Sequence, residues 1–234
     1  MLPDHQSLLG VGVYTVREAA RLTRIPTRTI GRWARGYSYR QEGGLRHSRP
    51  LWQGDIEPID GEITLSFRDL LEVRFVAYFR DLGVSWKTIR AAADCAAEII
   101  VDSHPFSSRT FKTDGTHILA EVASRTGEAT LLNLAQRQYE LKPIVDPLLI
   151  SGIEFSDLDT APVRWWPLGR DRRVVVDPQR CFGQPICDPE SVPTSVLERA
   201  FQAEGSVEEV ASWHEVSRAS VEDALEFEHL LRAA

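Results

Sequence analysis

YTVREAARLTRIPTRTIGRWARG, residues 14–36, is the stretch from which we predict the fold of the first third of the chain. Thr15, followed three residues later by Glu18, forms a capping box that opens a first helix. The pair Ile25-Pro26 interrupts the helical pattern and predicts a turn. Thr27 can then cap a second helix. Two short helices joined by a tight turn are typical of a helix-turn-helix that enters DNA.

The second helix of this stretch carries a row of arginines. Arg28, Arg32 and Arg35 recur at helical spacing with no acidic residue beside them, whereas an ordinary solvated helix face mixes the two signs of charge. Guanidinium groups suit phosphates and the acceptor edge of guanine, so this face is predicted to contact DNA. The alternative is a basic helix that is merely exposed to solvent. The predicted DNA contacts of the helix are Thr27, Arg28, Thr29, Arg32 and Arg35.

A hairpin is predicted directly after this helix, in residues 37–52. Gly43-Gly44 lies between two short segments and indicates a tight turn, as in the wing of a winged helix. Aromatic and basic side chains along such a hairpin are suited to sugar and phosphate. An ordinary basic loop is the alternative. The predicted contacts here are Tyr37, Tyr39, Arg40, Arg46 and Arg49.

The charge of the chain is distributed unevenly. The 234 residues carry a net charge of −7, which taken alone argues against a DNA-binding protein. Residues 14–50, however, contain nine arginines against two glutamates, a net charge of +7. Residues 188–231 contain eleven acidic residues against two arginines, a net charge of −9. One end of the molecule is therefore suited to polyanions, and the other would be repelled by them.

Several classes of protein are disfavoured by the sequence. No apolar run approaches the ~18 residues needed to cross a bilayer, and the N-terminus lacks the pattern of a secretory signal. The three cysteines suit neither a disulfide framework nor a zinc site, so we expect a cytoplasmic protein. We find no Gly-rich phosphate loop, no nucleophile elbow and no His/Cys/carboxylate set at metal-binding spacing. The sequence therefore predicts no enzyme activity, no cofactor and no metal.

Two further helices are predicted behind the hairpin. Ser66 caps one that runs to Gly83, and Ser85 caps another over Trp86–Ile100. The order of helix-turn-helix, hairpin and FRDLLEVRFVAYFRDLGVSWKTIR resembles the DNA-binding domain of MerR-type regulators. This resemblance implies a winged helix that binds DNA as a homodimer, and we assign residues 1–103 to this domain.

The middle of the chain, residues 104–173, is predicted to be a β-rich connector. Thr113-Asp114-Gly115-Thr116 indicates a hairpin, and further strands are predicted in ATLLNLA, IEFSDL and VRWWPL. The basic run GRDRR, residues 169–173, is predicted to be a solvated linker. The histidines and tryptophans of this region have two interpretations, ordinary packing or a ligand pocket. These residues are His104, His117, Trp165 and Trp166.

The last segment, residues 174–234, is predicted to contain a short strand and three helices. Ser206 and Glu209 form a second capping box. The final helix carries Glu222, Asp223, Glu226 and Glu228, where the first helix-turn-helix carries arginines. Four carboxylates against phosphates would weaken DNA binding, so this unit is predicted to bind protein.

FGQPIC, SVPTSVL and GSVEEVA, between residues 182 and 211, resemble the signature of a small helical domain. Such domains occur as antitoxins encoded beside toxins of the PIN ribonuclease family. Taken together, the two parts of the chain resemble a VapB-type antitoxin. This resemblance implies a protein that represses its own operator and sequesters a PIN-domain toxin. The fold class that we predict is mainly α with a small β component, consisting of a MerR-like winged helix-turn-helix, the β-rich connector and a C-terminal three-helix domain.

The sequence is compatible with two modes of toxin inhibition. An arginine of the C-terminal unit could enter the carboxylate-rich active site of the toxin, or its acidic surface could cover the groove that binds RNA. A different function is a one-component regulator that senses a small molecule in the middle segment. The predicted toxin contacts are Arg199, Arg218, Glu222, Glu226 and Arg232.

Overall fold

A computed structural model describes residues 8–41, 43–127, 152–158 and 161–232, and this part of the chain is mainly helical with small antiparallel sheets. Its α-helices are α1 Val16–Thr23, α2 Thr27–Arg35, α3 Phe67–Asp81, α4 Trp86–Ile100, α5 Arg109–Thr126, α6 Thr194–Glu204, α7 Val207–Trp213 and α8 Arg218–Arg232. Its strands are β1 Tyr14–Thr15, β2 Tyr37–Gln41, β3 Gly44–Ser48, β4 Thr64–Leu65, β5 Ile153–Phe155, β6 Pro162–Trp165, β7 Val174–Val176, β8 Pro185–Cys187 and β9 Val192–Pro193.

The helix-turn-helix forms as predicted, with one correction at the start of α2. The capping box of α1 is complete, because the Thr15 side chain accepts a bond from the Glu18 amide and the Glu18 carboxylate accepts one from the Thr15 amide. The prediction that Thr27 caps α2 is wrong. Pro26 holds the cap position, and Thr27 is the first helical residue. The fixed φ of proline already suits this entry to the helix, and the carbonyl of Pro26 accepts from the amides of Thr29 and Ile30.

Gly36 ends α2 and allows the chain to turn into the hairpin. Its φ is +77°, and a Cβ atom here would lie 2.3 Å from the carbonyl oxygen of Ser48. Only glycine therefore lets β2 and β3 start this close to the helix. The two strands pair antiparallel with Gln41 opposite Gly44. The predicted hairpin is therefore confirmed, with Gly44 in strand β3 and not in the turn.

One large hydrophobic core supports the helix-turn-helix. It joins buried side chains of α1 to α5 with Ile153, Phe155 and Trp165 of β5 and β6. The helices α3 and α4 begin at the predicted residues, after caps by Ser66 and Ser85. The middle segment thus packs directly against the N-terminal helices.

The predicted hairpin at residues 113–116 is wrong, because this segment lies inside helix α5. Ser108 caps the helix, and Phe111, Ile118 and Val122 are buried along one side of it. Burial of this apolar row outweighs the local turn preference of Asp-Gly. The helix ends at Gly127, whose φ is +70°, and the predicted strand ATLLNLA lies outside the described residues.

A five-stranded antiparallel sheet, in the order β5-β6-β7-β8-β9, connects the middle segment to the C-terminal helices. The strands predicted in IEFSDL and VRWWPL are confirmed as β5 and β6. The sheet continues across residue 173, where the sequence suggested a domain boundary, and the boundaries themselves stay a prediction. The prediction of a solvated linker at residues 169–173 is wrong, since Arg172 pairs with Asp223 and Glu226 of α8.

The three C-terminal helices form as predicted around a second core that includes Leu197, Val210 and Val221. Half of the predicted capping box of α7 is present. The Ser206 side chain accepts from the Glu209 amide at 3.3 Å, but no bond returns from the Glu209 carboxylate to the cap. None of the helices that the structure describes is long and apolar enough to cross a membrane.

Candidate nucleic-acid interface

The arginines of α2 point away from the core. Arg28, Arg32 and Arg35 are exposed, whereas Ile30 and Trp33 on the opposite side of the helix are buried. The 3.6-residue period of the helix separates the two faces. The sequence-predicted row of guanidinium groups therefore lies on one accessible surface.

Two of these arginines are held by neighbouring groups. The guanidinium carbon of Arg32 lies 4.0 Å from the ring centroid of Tyr37, and Arg35 donates to the carbonyl of Gly61 at 3.3 Å. The Tyr37 ring in turn contacts the Tyr39 ring, with centroids 5.7 Å apart. The α2 face and the first strand of the hairpin thus form one continuous surface.

The remaining predicted contacts lie on the hairpin and in the first turn of α2. Arg40 and Arg46 are exposed on the hairpin and form no hydrogen bond or ion pair within the described residues. Arg49 pairs with Asp94 of α4. Thr27 is exposed at the start of α2, and Thr29 is half-buried. All ten predicted residues are placed on α2 or the hairpin, and Arg49 is engaged internally.

Arg90 of α4 is a residue of this region that the sequence reasoning missed. Its guanidinium donates to the carbonyls of Arg49 and Pro50, at 2.9 and 3.1 Å, and to the Ser48 hydroxyl at 3.1 Å. Partial burial and the neighbouring Arg49 lower the pKa of Arg90. Its one sequence signal is its position one turn after Trp86, over whose ring it lies at 5.4 Å. Arg90 fixes the base of the hairpin to α4.

A pair of stacked tryptophans joins helix α2 to helix α4. The Trp33 and Trp86 rings are 5.7 Å apart and nearly parallel, with an interplanar angle of 13°. Trp33 belongs to α2 and Trp86 to α4, so the arginine-bearing helix is fixed to the same element that holds the hairpin.

A buried polar cluster lies at the start of α3. Asp69 accepts hydrogen bonds from the Trp52 indole, from the Ser66 amide and from His104 Nε2, the last at 2.8 Å. Burial alone would raise the pKa of Asp69, but the hydrogen bond and charge of His104 lower it. The pKa of His104 is raised for the reciprocal reason, against the effect of burial. His104, predicted as either a packing or a pocket residue, is a packing residue bonded to Asp69.

The same cluster contains a set of possible metal ligands that the sequence did not reveal. One ligand atom each of Asp55, Asp69 and His104 lies within 4.8 Å of the others. These residues are 14 and 35 positions apart, so no short motif marks them. Both Asp69 oxygens and both His104 nitrogens already make hydrogen bonds, with Ser103 on Nδ1 of His104. The arrangement is suited to bracing the loop of Asp55 against α3.

The C-terminal residues predicted to contact a toxin are mostly engaged within the chain. Arg218 lies 2.8 Å from Glu208 and 3.6 Å from Glu222. Arg232 pairs with Glu198, and Glu226 pairs with Arg172. Arg199 is exposed and donates to the carbonyl of Ser195 at 3.1 Å. The sequence-predicted cluster is therefore spread over α6 and α8 and largely neutralised.

The prediction of four exposed carboxylates on the last helix is wrong for two of them. Asp223 is buried and accepts from Arg172 at 2.6 Å and from the Arg173 amide at 2.8 Å. Glu228 is 1% exposed and accepts from Arg21 of α1 and from the Thr194 hydroxyl. These two acids are structural, because each is satisfied by an arginine from another segment.

The acidic unit thereby contacts the helix-turn-helix directly. Besides the Arg21–Glu228 pair, Arg24 donates to the carbonyl of Leu230 at 3.1 Å. The Tyr14 hydroxyl donates to the carbonyl of Gly183 at 2.8 Å. A Cβ atom on Gly183 would lie 2.2 Å from that hydroxyl, so glycine is required for this approach. The contact lies on α1 and leaves the arginine face of α2 uncovered.

The fold and this surface define the class of protein. Residues 12–93 match a domain family described as "Putative DNA-binding HTH domain", so the N-terminal part belongs to the helix-turn-helix proteins. The chain is 30% identical over 225 residues to the "Putative antitoxin VapB45" of Mycobacterium tuberculosis, covering 92% of this chain and 93% of that protein. The chain belongs to the family of that antitoxin.

A solved structure has the same fold over nearly the whole chain. The crystal structure of Rv2018 from Mycobacterium tuberculosis superposes with a TM-score of 0.68, covers 93% of this chain and 99% of that one, and shares 24% sequence identity. At this identity the likeness concerns the fold.

Proposed function

We propose that the protein is the antitoxin of a type II toxin–antitoxin pair. In this proposal the C-terminal helices bind and neutralise a PIN-domain ribonuclease toxin, and the N-terminal domain binds its own operator as an autorepressor. The observation that carries the proposal is the exposed arginine face of α2, in a chain whose relative over 92% of its length is named "Putative antitoxin VapB45".

The DNA-binding role is supported by how the arginines are presented. The α2 face and the β2–β3 hairpin together form a basic surface without an acidic side chain on α2. In the proposal α2 lies in the major groove and the hairpin serves as a MerR-like wing along the backbone. A homodimer would place two such heads on paired half-sites one helical turn apart.

The toxin-binding role is assigned to the C-terminal helices on the basis of charge. Their acidic surface would be repelled by nucleic acid, and part of it is neutralised by arginines of the same chain. The exposed carboxylates that remain are suited to a basic surface of the toxin, and an exposed arginine of these helices is suited to the carboxylates of its active site. The residues that we propose to contact the toxin are Arg199, Arg218, Glu222, Glu226 and Arg232.

Co-expression tests both roles. The chain is expressed with the PIN-domain protein that the proposal expects to be encoded beside it, and the complex is purified through a tag on the antitoxin. We expect a stable complex without ribonuclease activity and a gel shift with the DNA upstream of the two genes. Absence of a complex would refute the antitoxin role, and absence of a shift with that DNA would refute autorepression.

A second function, that of a one-component regulator sensing a small molecule, is favoured by one observation. A cavity of about 490 Å³ lies between the N-terminal segment, the start of α3 and β6, and its polar lining includes Asp55, Glu57 and Arg68. This volume is in the range of small-molecule sites. The regulator would be purified without a protein partner, and a metabolite that raises its melting temperature would identify the ligand.

A further inference from the structure

Trp213, at the end of α7, is exposed in a way that the fold does not require. Its side chain is 78% exposed, whereas Val210 and Ala211 of the same helix are buried in the C-terminal core. A tryptophan can bury about 150–250 Å² of surface in an interface. This apolar surface is therefore available for contact with another molecule.

The surroundings of Trp213 are acidic. Glu209 lies one helical turn earlier, on the same face of α7, and Glu215 follows in the next turn with a left-handed φ of +54°. Both residues are exposed, and neither carboxylate forms a hydrogen bond or ion pair within the described chain. Because the Glu209 side chain does not complete the capping box, its charge remains available at the surface.

The charge of this surface selects the partner. Two unpaired carboxylates beside Trp213 would oppose phosphates, so stacking of a nucleic-acid base on the indole is disfavoured. A protein with an apolar pocket surrounded by lysine or arginine complements both features. Tryptophan is among the residues that contribute most to binding at the centres of protein interfaces.

We propose that Trp213, with Glu209 and Glu215 beside it, is the anchor of the surface that binds a basic protein partner. This inference rests on the proposed function, in which that partner is the toxin. The Trp213 indole enters an apolar pocket of the partner, and the two carboxylates pair with basic residues at its rim.

Helix α7 takes no part in the contacts that join the C-terminal helices to the helix-turn-helix. The helix-turn-helix is contacted by α8, through Glu228 and Leu230, and by Gly183. No hydrogen bond or ion pair between described residues joins α7 to α1 or α2. Binding at Trp213 therefore requires none of these contacts to break.

Titration calorimetry tests the inference with the full-length chain. The probe is the PIN-domain protein that the proposed function expects to be encoded beside this chain. We expect Trp213→Ala to weaken binding at least about 30-fold. Glu209→Lys is expected to weaken it about 5-fold or more and to reduce its dependence on salt. The matched control is Leu158→Ala, since Leu158 is 98% exposed and lies on the loop after β5.

The outcomes separate this inference from the proposed function. If the unaltered chain binds the probe and Trp213→Ala binds equally well, the surface is wrong and the antitoxin role stands. If the unaltered chain does not bind the probe, the proposed function and the partner named here are both wrong. Both substituted side chains are exposed, so we expect the melting temperatures and gel shifts of the variants to be unchanged. Unchanged values exclude misfolding as the cause of weaker binding.

Discussion

Arg32 shows at the scale of one residue how an exposed side chain can be prepared for binding. Its guanidinium carbon lies 4.0 Å from the centroid of the Tyr37 ring, so the side chain rests on this ring. A cation over an aromatic face is stabilised electrostatically. Restricting the long side chain before binding also reduces the entropy lost when it meets DNA.

Replacing Arg32 should therefore affect DNA binding but not folding. We expect Arg32→Ala to weaken operator binding by roughly 1–3 kcal/mol and to leave the free energy of unfolding nearly unchanged. A gel-shift titration measures the first and urea denaturation the second. Arg199→Ala is the control, an exposed arginine on α6. Equal operator affinity of the two variants would contradict the assignment of the α2 face.

Glu72 gives a prediction about pH, since it is 1% exposed in the core of the N-terminal half. Its carboxylate accepts from the amides of Phe106 and Ser107, yet burial raises the pKa of Glu72 from 4.5 to about 6. The folded state thus binds the proton more tightly than the unfolded state. The contribution of Glu72 to the free energy of unfolding is therefore present below pH 4.5 and lost as the pH rises through about 6.

Glu72→Gln should remove this loss. We expect the stability of the unaltered chain, relative to the variant, to fall by about 2 kcal/mol between pH 4.5 and pH 7. Urea denaturation at the two pH values measures the difference, and taking it relative to the variant cancels the other titrating groups. A constant difference would show that Glu72 has an ordinary pKa.

At the scale of elements, the β2–β3 hairpin depends on α4 for its position. Arg90 bonds to three groups at the base of the hairpin, and Arg49 pairs with Asp94. A two-stranded hairpin alone is marginally stable in water. The orientation of the proposed wing is thus decided by a helix about 40 residues away in the sequence.

Arg90→Ala should loosen the hairpin without removing any proposed DNA contact. We expect operator binding to weaken by about 1–2 kcal/mol, from the loss of charged hydrogen bonds. Hydrogen exchange should become faster in the amides of residues 44–49. Lys87→Ala, an exposed change on the same helix, serves as the control and should change neither quantity. Unchanged exchange in the Arg90 variant would show that the hairpin is fixed by other contacts.

Helix α5 shows where element prediction from the sequence failed. The Asp114-Gly115 pair favours a turn locally, and the sequence predicted a hairpin between SSRTFK and HILAEVA. Phe111 instead packs with Phe75, Phe79 and Phe106. Only the presence of those rings, which come from other elements, makes the helical arrangement the more stable one.

At the scale of the whole molecule, the opposite charges of the two ends have an internal use. Arg21 of α1 pairs with the buried carboxylate of Glu228, and Arg24 donates to the carbonyl of Leu230. The acidic unit is thus bonded to the rear of the helix-turn-helix. A buried charge is strongly destabilising when its partner is removed, so the two ends are coupled energetically.

A double-mutant cycle on Arg21 and Glu228 measures that coupling. We expect Arg21→Ala and Glu228→Gln to show an interaction energy above about 1 kcal/mol in urea denaturation. The value is limited because Arg21 is about half exposed. The pair Arg218 and Glu222, exposed on both sides, is the control and should give about 0.3–0.5 kcal/mol. Equal values for both cycles would mean that the two ends are not coupled through this contact.

The sequence by itself determined the features that depend on neighbours in the chain. Caps at Thr15, Ser66 and Ser85, the periodicity of α2 and the turn at Gly43-Gly44 are local signals, and the structure contains each element that they predict. The exposed arginine face follows from the same periodicity.

The tertiary structure alone decided which charges are paired and which remain at the surface. In the sequence nothing distinguishes Asp223 and Glu228 from Glu209. In the structure Asp223 and Glu228 are buried against distant arginines, whereas Glu209 is exposed on the same face of α7 as Trp213. The physical reason is that the state of a charged side chain depends on the segments that pack over it. Those segments are brought together by burial of apolar surface, which is not directional and carries no local signal.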